Sequence, residues 1–156
     1  MMNDLSEIVA ADAVEARLAA ANKKGLFQQV AALAARRTGI PAKTIAAALT
    51  EREKLGSTGF GGGTAIPHGK IEGLDKVTGF FVRLSAPIDY QAVDGIGVDL
   101  VLMLLSPPDA GADHLKALAS VSRMFRDRQV VAKLRGARSK DAIFALLSGV
   151  ETRDAA

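Results

Sequence analysis

The sequence contains no cysteine. Disulfides, thiolate metal sites and cysteine nucleophiles are therefore excluded, which fits a reducing compartment. Histidine is nearly absent: the two present cannot build an all-histidine catalytic metal site. Long apolar runs are missing as well. The longest strictly apolar stretches are six residues, such as Leu100 to Leu105, and a membrane helix needs ~20. Asp4 and Glu7 precede any apolar run, so the N-terminus does not read as a signal peptide. Neither sign of charge dominates. Twenty Lys and Arg against 17 Asp and Glu leave +3, too little to argue for nucleic acid. What remains is the expectation of a soluble, cytoplasmic protein with no cofactor and no metal.

What is present is ordinary globular composition, 49% hydrophobic and 24% charged over 156 residues. That is one domain's worth of chain, expected over 1–150 with a frayed tail at 151–156. The charge is unevenly placed. Ile71 to Asp113 carries seven acidic and two basic residues, and His114 to Lys140 carries eight basic and one acidic. Such a run is ordinarily a solvated helix face. A docking surface for an acidic partner is the sharper alternative. Nucleic acid ranks third, because Phe125 is the only aromatic in the basic stretch and base stacking needs several.

Apolar residues roughly alternate with charged ones over Val14 to Ala20, which reads as a strand. Asn22 reads as an N-cap for a helix carrying Leu26, Phe27, Val30, Ala31, Leu33 and Ala34 to about Arg37, ended by Thr38-Gly39. Pro41, in the first turn, opens a second helix through Ile45, Ala48 and Leu49 to about Glu53. Val77 to Ser85 and Gly97 to Leu105 read as strands, the second apolar enough to be buried on both faces. Ser106-Pro107-Pro108 stops it. A helix follows over Ala112 to about Asp127, with Leu115, Leu118, Ala119, Ser122 and Phe125 along one face. A shorter one covers Gln129 to Leu134. Ser139 caps a last helix through Ile143, Leu146 and Leu147. The alternation predicts a layered α/β domain with helices on both sheet faces.

Between Glu53 and Val77 lies Leu55 to Lys70, in which six of sixteen residues are glycine. It is not a phosphate loop of the Gly-x-x-x-x-Gly-Lys-Ser/Thr type, since Thr64 and Ile71 occupy the first and last positions. It is not a dinucleotide fingerprint, since Thr64 or Ile66 stands where the third glycine belongs and no helix follows. It is not a deaminase His-x-Glu, since residue 70 is Lys. Glycines can let successive amides converge on an anion, and Ser57, Thr58 and Thr64 add hydroxyls. His68, between Pro67 and Gly69 at the edge or end of a strand, can attack a phosphoryl group as neutral imidazole. The plainer alternative is a loop histidine bonded to its own glycine turn.

Arg52-Glu53-Lys54-Leu55-Gly56-Ser57-Thr58-Gly59, followed by Ala65-Ile66-Pro67-His68-Gly69-Lys70, resembles the enzyme IIA domain of the fructose/mannitol class of the bacterial phosphotransferase system. The nearer pattern within it is the free-standing nitrogen-regulatory type. The resemblance runs from Leu5-Ser6 to about residue 150. It implies a three-layer sandwich with a mixed β-sheet. It also implies that a histidine-containing phosphocarrier protein phosphorylates His68, on Nε2 in family members. By position, Arg52 matches an arginine that binds the phosphoryl oxygens, and His114, in His-Leu-Lys-x-Leu-Ala, a second histidine beside them. Otherwise Arg52 is a helix-end cation and His114 a solvent-facing helix residue. Gly59, Gly61, Gly63, Thr64 and Gly69, with Ser57 and Thr58, are the candidate phosphate-binding loop. The chain departs from the pattern at Gly62, where many members carry Asn. That change removes a donor and frees the loop.

Three functions follow. The first is a regulatory phosphoryl carrier controlling protein targets, of the nitrogen or potassium type by analogy. The second is a sugar-uptake component handing phosphate to a IIB partner. The third is a binding module of the same fold that is never phosphorylated. A histidine-based hydrolase finds no serine or cysteine nucleophile motif.

Overall fold

The computed structural model describes residues 5–149. The expected tail, 151–156, lies outside the described residues. The elements are β1 (Val9–Leu18), α1 (Lys23–Thr38), α2 (Ala42–Glu53), β2 (Gly59–Gly61), β3 (Thr64–Ala65), β4 (His68–Lys70), β5 (Thr78–Ile88), β6 (Val98–Ser106), α3 (Ala112–Arg126), α4 (Arg128–Gly136) and α5 (Lys140–Leu147).

Local chemistry sets most boundaries. The Asn22 side chain accepts from the Gly25 N–H and starts α1, and Gly39 ends it at φ 78. Pro41 stands one place earlier than expected, as the N-cap of α2. Asp127 stops α3 and starts α4, its carboxylate accepting from the N–H groups of Gln129 and Val130. Ser139 caps α5 through the Ala142 N–H. β1 begins at Val9 rather than Val14. Its pairing with β5 slips between Val9 and Val14 and again between Glu15 and Leu18, and those irregularities hide the strand's first half from a period-two reading.

The sheet is mixed. Its strand order is β1-β5-β6-β3-β2, with β4 also on β6. β5 and β6 are antiparallel, whereas β1 runs parallel to β5, and β3 and β4 run parallel to β6. Leu100 to Leu105 of β6 are all wholly buried, with Phe80, Phe81 and Val82 of β5 beside them. Burial on both faces of the central strands requires cover on both sides. The packed pair α1 and α2 supplies one layer, and α3, α4 and α5 supply the other. Arg83 of β5 ties the layers together. Its guanidinium donates to the Ala16 carbonyl and to the carbonyls of Leu134 and Ala137 at the end of α4, groups that the helix itself leaves unpaired.

The buried face of α3 differs from the expected one. Ala117, Val121, Met124 and Phe125 face the core, and Leu115 is 66% exposed. Leu115 is the larger apolar group, but small Ala117 lets the helix approach the sheet. The rotation matters for function, because His114 stands three residues before Ala117 and so shares its side of the helix. The eight basic residues between His114 and Lys140 are all exposed, as both a solvated face and a docking surface require.

Candidate functional site

His68 opens β4, paired in parallel register with Leu104 of β6. Pro67 has no N–H to give, but its carbonyl accepts from Leu104 at 2.9 Å and holds the turn into β4 against the central strand. The imidazole is fixed at both nitrogens. Nδ1 lies 2.8 Å from the Ile66 carbonyl, and Nε2 lies 3.2 Å from Nε of Arg52. A carbonyl only accepts and a guanidinium only donates. Both contacts therefore demand one tautomer, with the proton on Nδ1 and the lone pair on Nε2. Burial, and then the charge of Arg52, hold His68 below its ordinary pKa of 6.5 against the opposing Ile66 carbonyl and Glu53.

Arg52 projects from the last turn of α2. Besides reaching His68, it donates through Nη1 to the Gly56 carbonyl at 3.0 Å. His114, from the start of α3, sets its ring 5.6 Å from that of His68, with Nδ1 2.6 Å from Ser106 Oγ. Burial, followed by charge on His68 and Lys70, lowers its pKa as well. The site thus joins a neutral imidazole offering a lone pair, a guanidinium touching that same nitrogen, and a second neutral imidazole. Together they can receive an electrophilic phosphorus. Five surface clefts of 330 to 550 Å³ are found elsewhere, none lined by Arg52, His68 or His114.

The glycine-rich segment folds differently from an anion nest around His68. Gly61 to Gly63 form the tip of the β2–β3 hairpin, and Thr64 pairs with Leu100 whereas His68 pairs with Leu104. Four strand residues separate them, roughly 13 Å. The tip is tied down without the family's Asn. Asp94 accepts from the Gly62 N–H, and Arg135, clamped on Asp99, donates to the Gly62 carbonyl. A side chain at Gly63 would meet Arg135, Asp99 and the Gly97 backbone at φ 85, and one at Gly69 would press on Ala48 of α2 at 3.2 Å. Gly59 is needed because Ala92 lies against it. The hydroxyls turn inward. Ser57 accepts from the Gly59 N–H, and Thr64 donates to the Gly61 carbonyl. Thr58 donates to Glu53 at 2.5 Å. Of the expected site, the structure brings together Arg52, His68 and His114, with Gly69 next to His68 in β4; the Gly56 carbonyl on Arg52 was not among the expected site residues. Gly61, Gly63 and Thr64 stand apart from them.

Glu53, Tyr90 and Lys23 were not among the expected site residues, yet they build the floor beneath Arg52. The Glu53 carboxylate accepts from the Thr58 N–H and hydroxyl and from Lys23 at 2.9 Å. Since Thr58 spends its proton on Glu53, the Tyr90 hydroxyl donates to Thr58 Oγ1 at 2.8 Å. Lys23 also lies over the Tyr90 ring. Burial alone pushes the Glu53 carboxyl up, but the bonds from Thr58 and Lys23 outweigh it and hold the group below its ordinary value. The Tyr90 hydroxyl is pushed well above its ordinary range, chiefly by burial. The network reaches His68 through backbone, since the Thr58 carbonyl accepts from the Ile66 N–H and the Ile66 carbonyl holds His68. Two signals for it stand in the sequence. Glu53 adjoins Arg52 in the motif, and Tyr90 is the only tyrosine.

The sequence profile of the family described as phosphoenolpyruvate-dependent sugar phosphotransferase system, EIIA 2, matches residues 7–150. The chain belongs to that family. A nitrogen regulatory protein of Bradyrhizobium diazoefficiens is 46% identical to this EIIA 2 chain over 144 residues, covering 92% of it and 94% of the relative. A fructose-specific EIIA component of Haloferax volcanii is 33% identical over 150 residues, covering 96% and 97%. The crystal structure of nitrogen regulatory protein IIA-Ntr from Neisseria meningitidis superposes with a TM-score of 0.87 at 33% identity, covering 92% of this chain and 98% of that one. Among the described residues of the EIIA 2 chain, no helix is long and apolar enough to cross a membrane.

Both histidines should therefore titrate below 6.5, followed by their imidazole resonances in an NMR pH series. The unfolded chain takes up protons at 6.5 while the folded chain still refuses them. Stability is then unaffected above that pH and falls as pH drops through the folded values. Denaturation midpoints from pH 7.5 to 5 check this, and the acid-side loss should shrink in a variant lacking both histidines.

Proposed function

We propose that this protein is a regulatory phosphoryl carrier of the nitrogen-regulatory type. It takes phosphate from a histidine-containing phosphocarrier onto Nε2 of His68, acts in the cytoplasm and signals to protein targets by its phosphorylation state. The observation carrying this reading is the doubly constrained tautomer. Ile66 holds the proton on Nδ1, so the lone pair lies on the nitrogen that Arg52 touches. In the transfer, the donor's P–N bond breaks with its electron pair returning to the donor nitrogen. The His68 lone pair forms the new Nε2–P bond, and the proton stays on Nδ1, still donated to the Ile66 carbonyl. Charge on the phosphoryl oxygens is met by Arg52, freed from its contact with the lone pair, and by His114. The new group adds about 1.5–2 negative charges, which changes the surface a partner meets. The nitrogen-regulatory relatives support the regulatory role, and the fructose-specific relative keeps a sugar-uptake role as the second reading.

Intact mass after incubation with phosphoenolpyruvate, enzyme I and either a nitrogen-type or a sugar-type carrier tests it. The expected result is one acid-labile phosphate, gained faster from the nitrogen-type carrier. Faster gain from the sugar-type carrier would transfer the case to sugar uptake. No gain from either, with competent controls, would leave a binding module.

A further inference from the structure

Ser106 ends β6, the first polar residue after six apolar ones, and it is wholly buried. Its Oγ lies 2.6 Å from His114 Nδ1, which is its one hydrogen-bond partner among the described residues. A hydroxyl can donate or accept, and so can Nδ1 of a neutral imidazole. The hydroxyl proton decides between the two arrangements. If Nδ1 carried the ring proton, the buried Ser106 hydroxyl would have no acceptor, and an unmade bond from a buried donor is costly. Donation from Ser106 to Nδ1 satisfies it and leaves the ring proton on Nε2. Burial first, then the charges of a protonated His68 and of Lys70, lower the His114 pKa below its ordinary value, so at pH 7.5 the choice of tautomer has consequences.

We infer that Ser106 is a positioning residue: it holds His114 as the Nε2–H tautomer, so that one histidine offers a lone pair and the other a hydrogen-bond donor to the same phosphoryl group. This rests on the reading that His68 carries the phosphate. The two rings, 5.6 Å apart, are held in opposite states by different groups. The Ile66 carbonyl can only accept, so it keeps a proton on His68 Nδ1. The Ser106 hydroxyl must donate, so it keeps the proton off His114 Nδ1. His114 Nε2–H then donates to a phosphoryl oxygen and retains its proton throughout. With the wrong tautomer, it would turn a lone pair toward an anion.

The test is a long-range 1H–15N spectrum of 15N-labelled protein at pH 7.5, where two imidazoles are simple to assign. Wild type should show His68 as Nδ1–H and His114 as Nε2–H. Ser106→Ala should turn His114 into a mixture and leave His68 unchanged, and Ser106→Thr, which keeps the hydroxyl, should restore the wild-type pattern. Phosphoryl acceptance should slow roughly three- to ten-fold in Ser106→Ala, the scale of one lost hydrogen bond, and recover in Ser106→Thr. Ser106→Cys, a weak donor of similar size, reads the same spectra if the alanine variant does not fold. An Nδ1–H tautomer for His114 in wild type would overturn the inference, as would a Ser106→Ala variant with unchanged tautomer or unchanged rate. Absence of phosphate uptake by wild type would instead sink the carrier reading, while the spectra still report on Ser106 directly.

Discussion

Replacing His68 with alanine is expected to abolish phosphoryl acceptance while the protein stays folded. The lone pair on Nε2 is the nucleophile of the proposed reaction, and His114 is the one neighbouring group of comparable chemistry. Lys70 and Arg52 are cations, and the Ser57 and Thr58 oxygens are bonded internally. Stability should change by only about 1 kcal/mol, because the ring is partly exposed and its removal frees one carbonyl, that of Ile66, to solvent. Intact mass and thermal unfolding check the two halves of this statement. Undiminished labelling would move the acceptor to His114, the only other histidine.

Replacing Arg52 with alanine should slow acceptance by about 10²-fold, the usual scale for losing one preorganised donor to a developing charge. The final extent of labelling should be kept. A further signature separates this effect from simple loosening of the loop that Arg52 ties at Gly56. The Arg52 charge helps to depress the His68 pKa, so His68 should titrate at higher pH in the variant than in wild type. Arg52→Lys should recover only part of the rate, since an ammonium lacks the planar fork that holds two phosphoryl oxygens. A rate equal to wild type in Arg52→Ala would reduce Arg52 to an anchor for the loop.

Arg52 and His68 were legible in the sequence because they lie sixteen residues apart in one motif whose turn and proline constrain the path between them. His114 was visible only as a matching position. Its orientation depends on which side of α3 meets the sheet, and Leu115 misdirects that reading because a large apolar residue outweighs a small one in any periodicity argument. The glycines misdirect in another way. A glycine shows that a side chain is not tolerated, but the reason stands in its spatial neighbours, and here those are Arg135 for Gly63 and Ala48 for Gly69. The Glu53, Thr58 and Tyr90 network escapes for the same reason, since Tyr90 reaches Thr58 from the loop just after β5. The overall α/β layering was recoverable because helix and strand periods alternate along the chain. The short β2 and β3 strands were not, being too brief to show a period, and of β4 only a strand edge at His68 was read, where His68 in fact begins the strand.

β6 is uniformly apolar from Leu100 to Leu105, so nothing in that run distinguishes one sliding position from the next. Its alignment is specified at its ends. Asp99 at one end is clasped by Arg135, and Ser106 at the other meets His114. The strand therefore works as a gauge block of set length. Deleting or inserting a single apolar residue inside it would preserve the chain's greasiness almost unchanged, yet one of the two polar ends would miss its partner. Since β3 and β4 are both laid against this strand, the spacing between the hairpin tip and His68 is copied from it. The length of this featureless stretch is thus structurally constrained even where one apolar residue could stand for another.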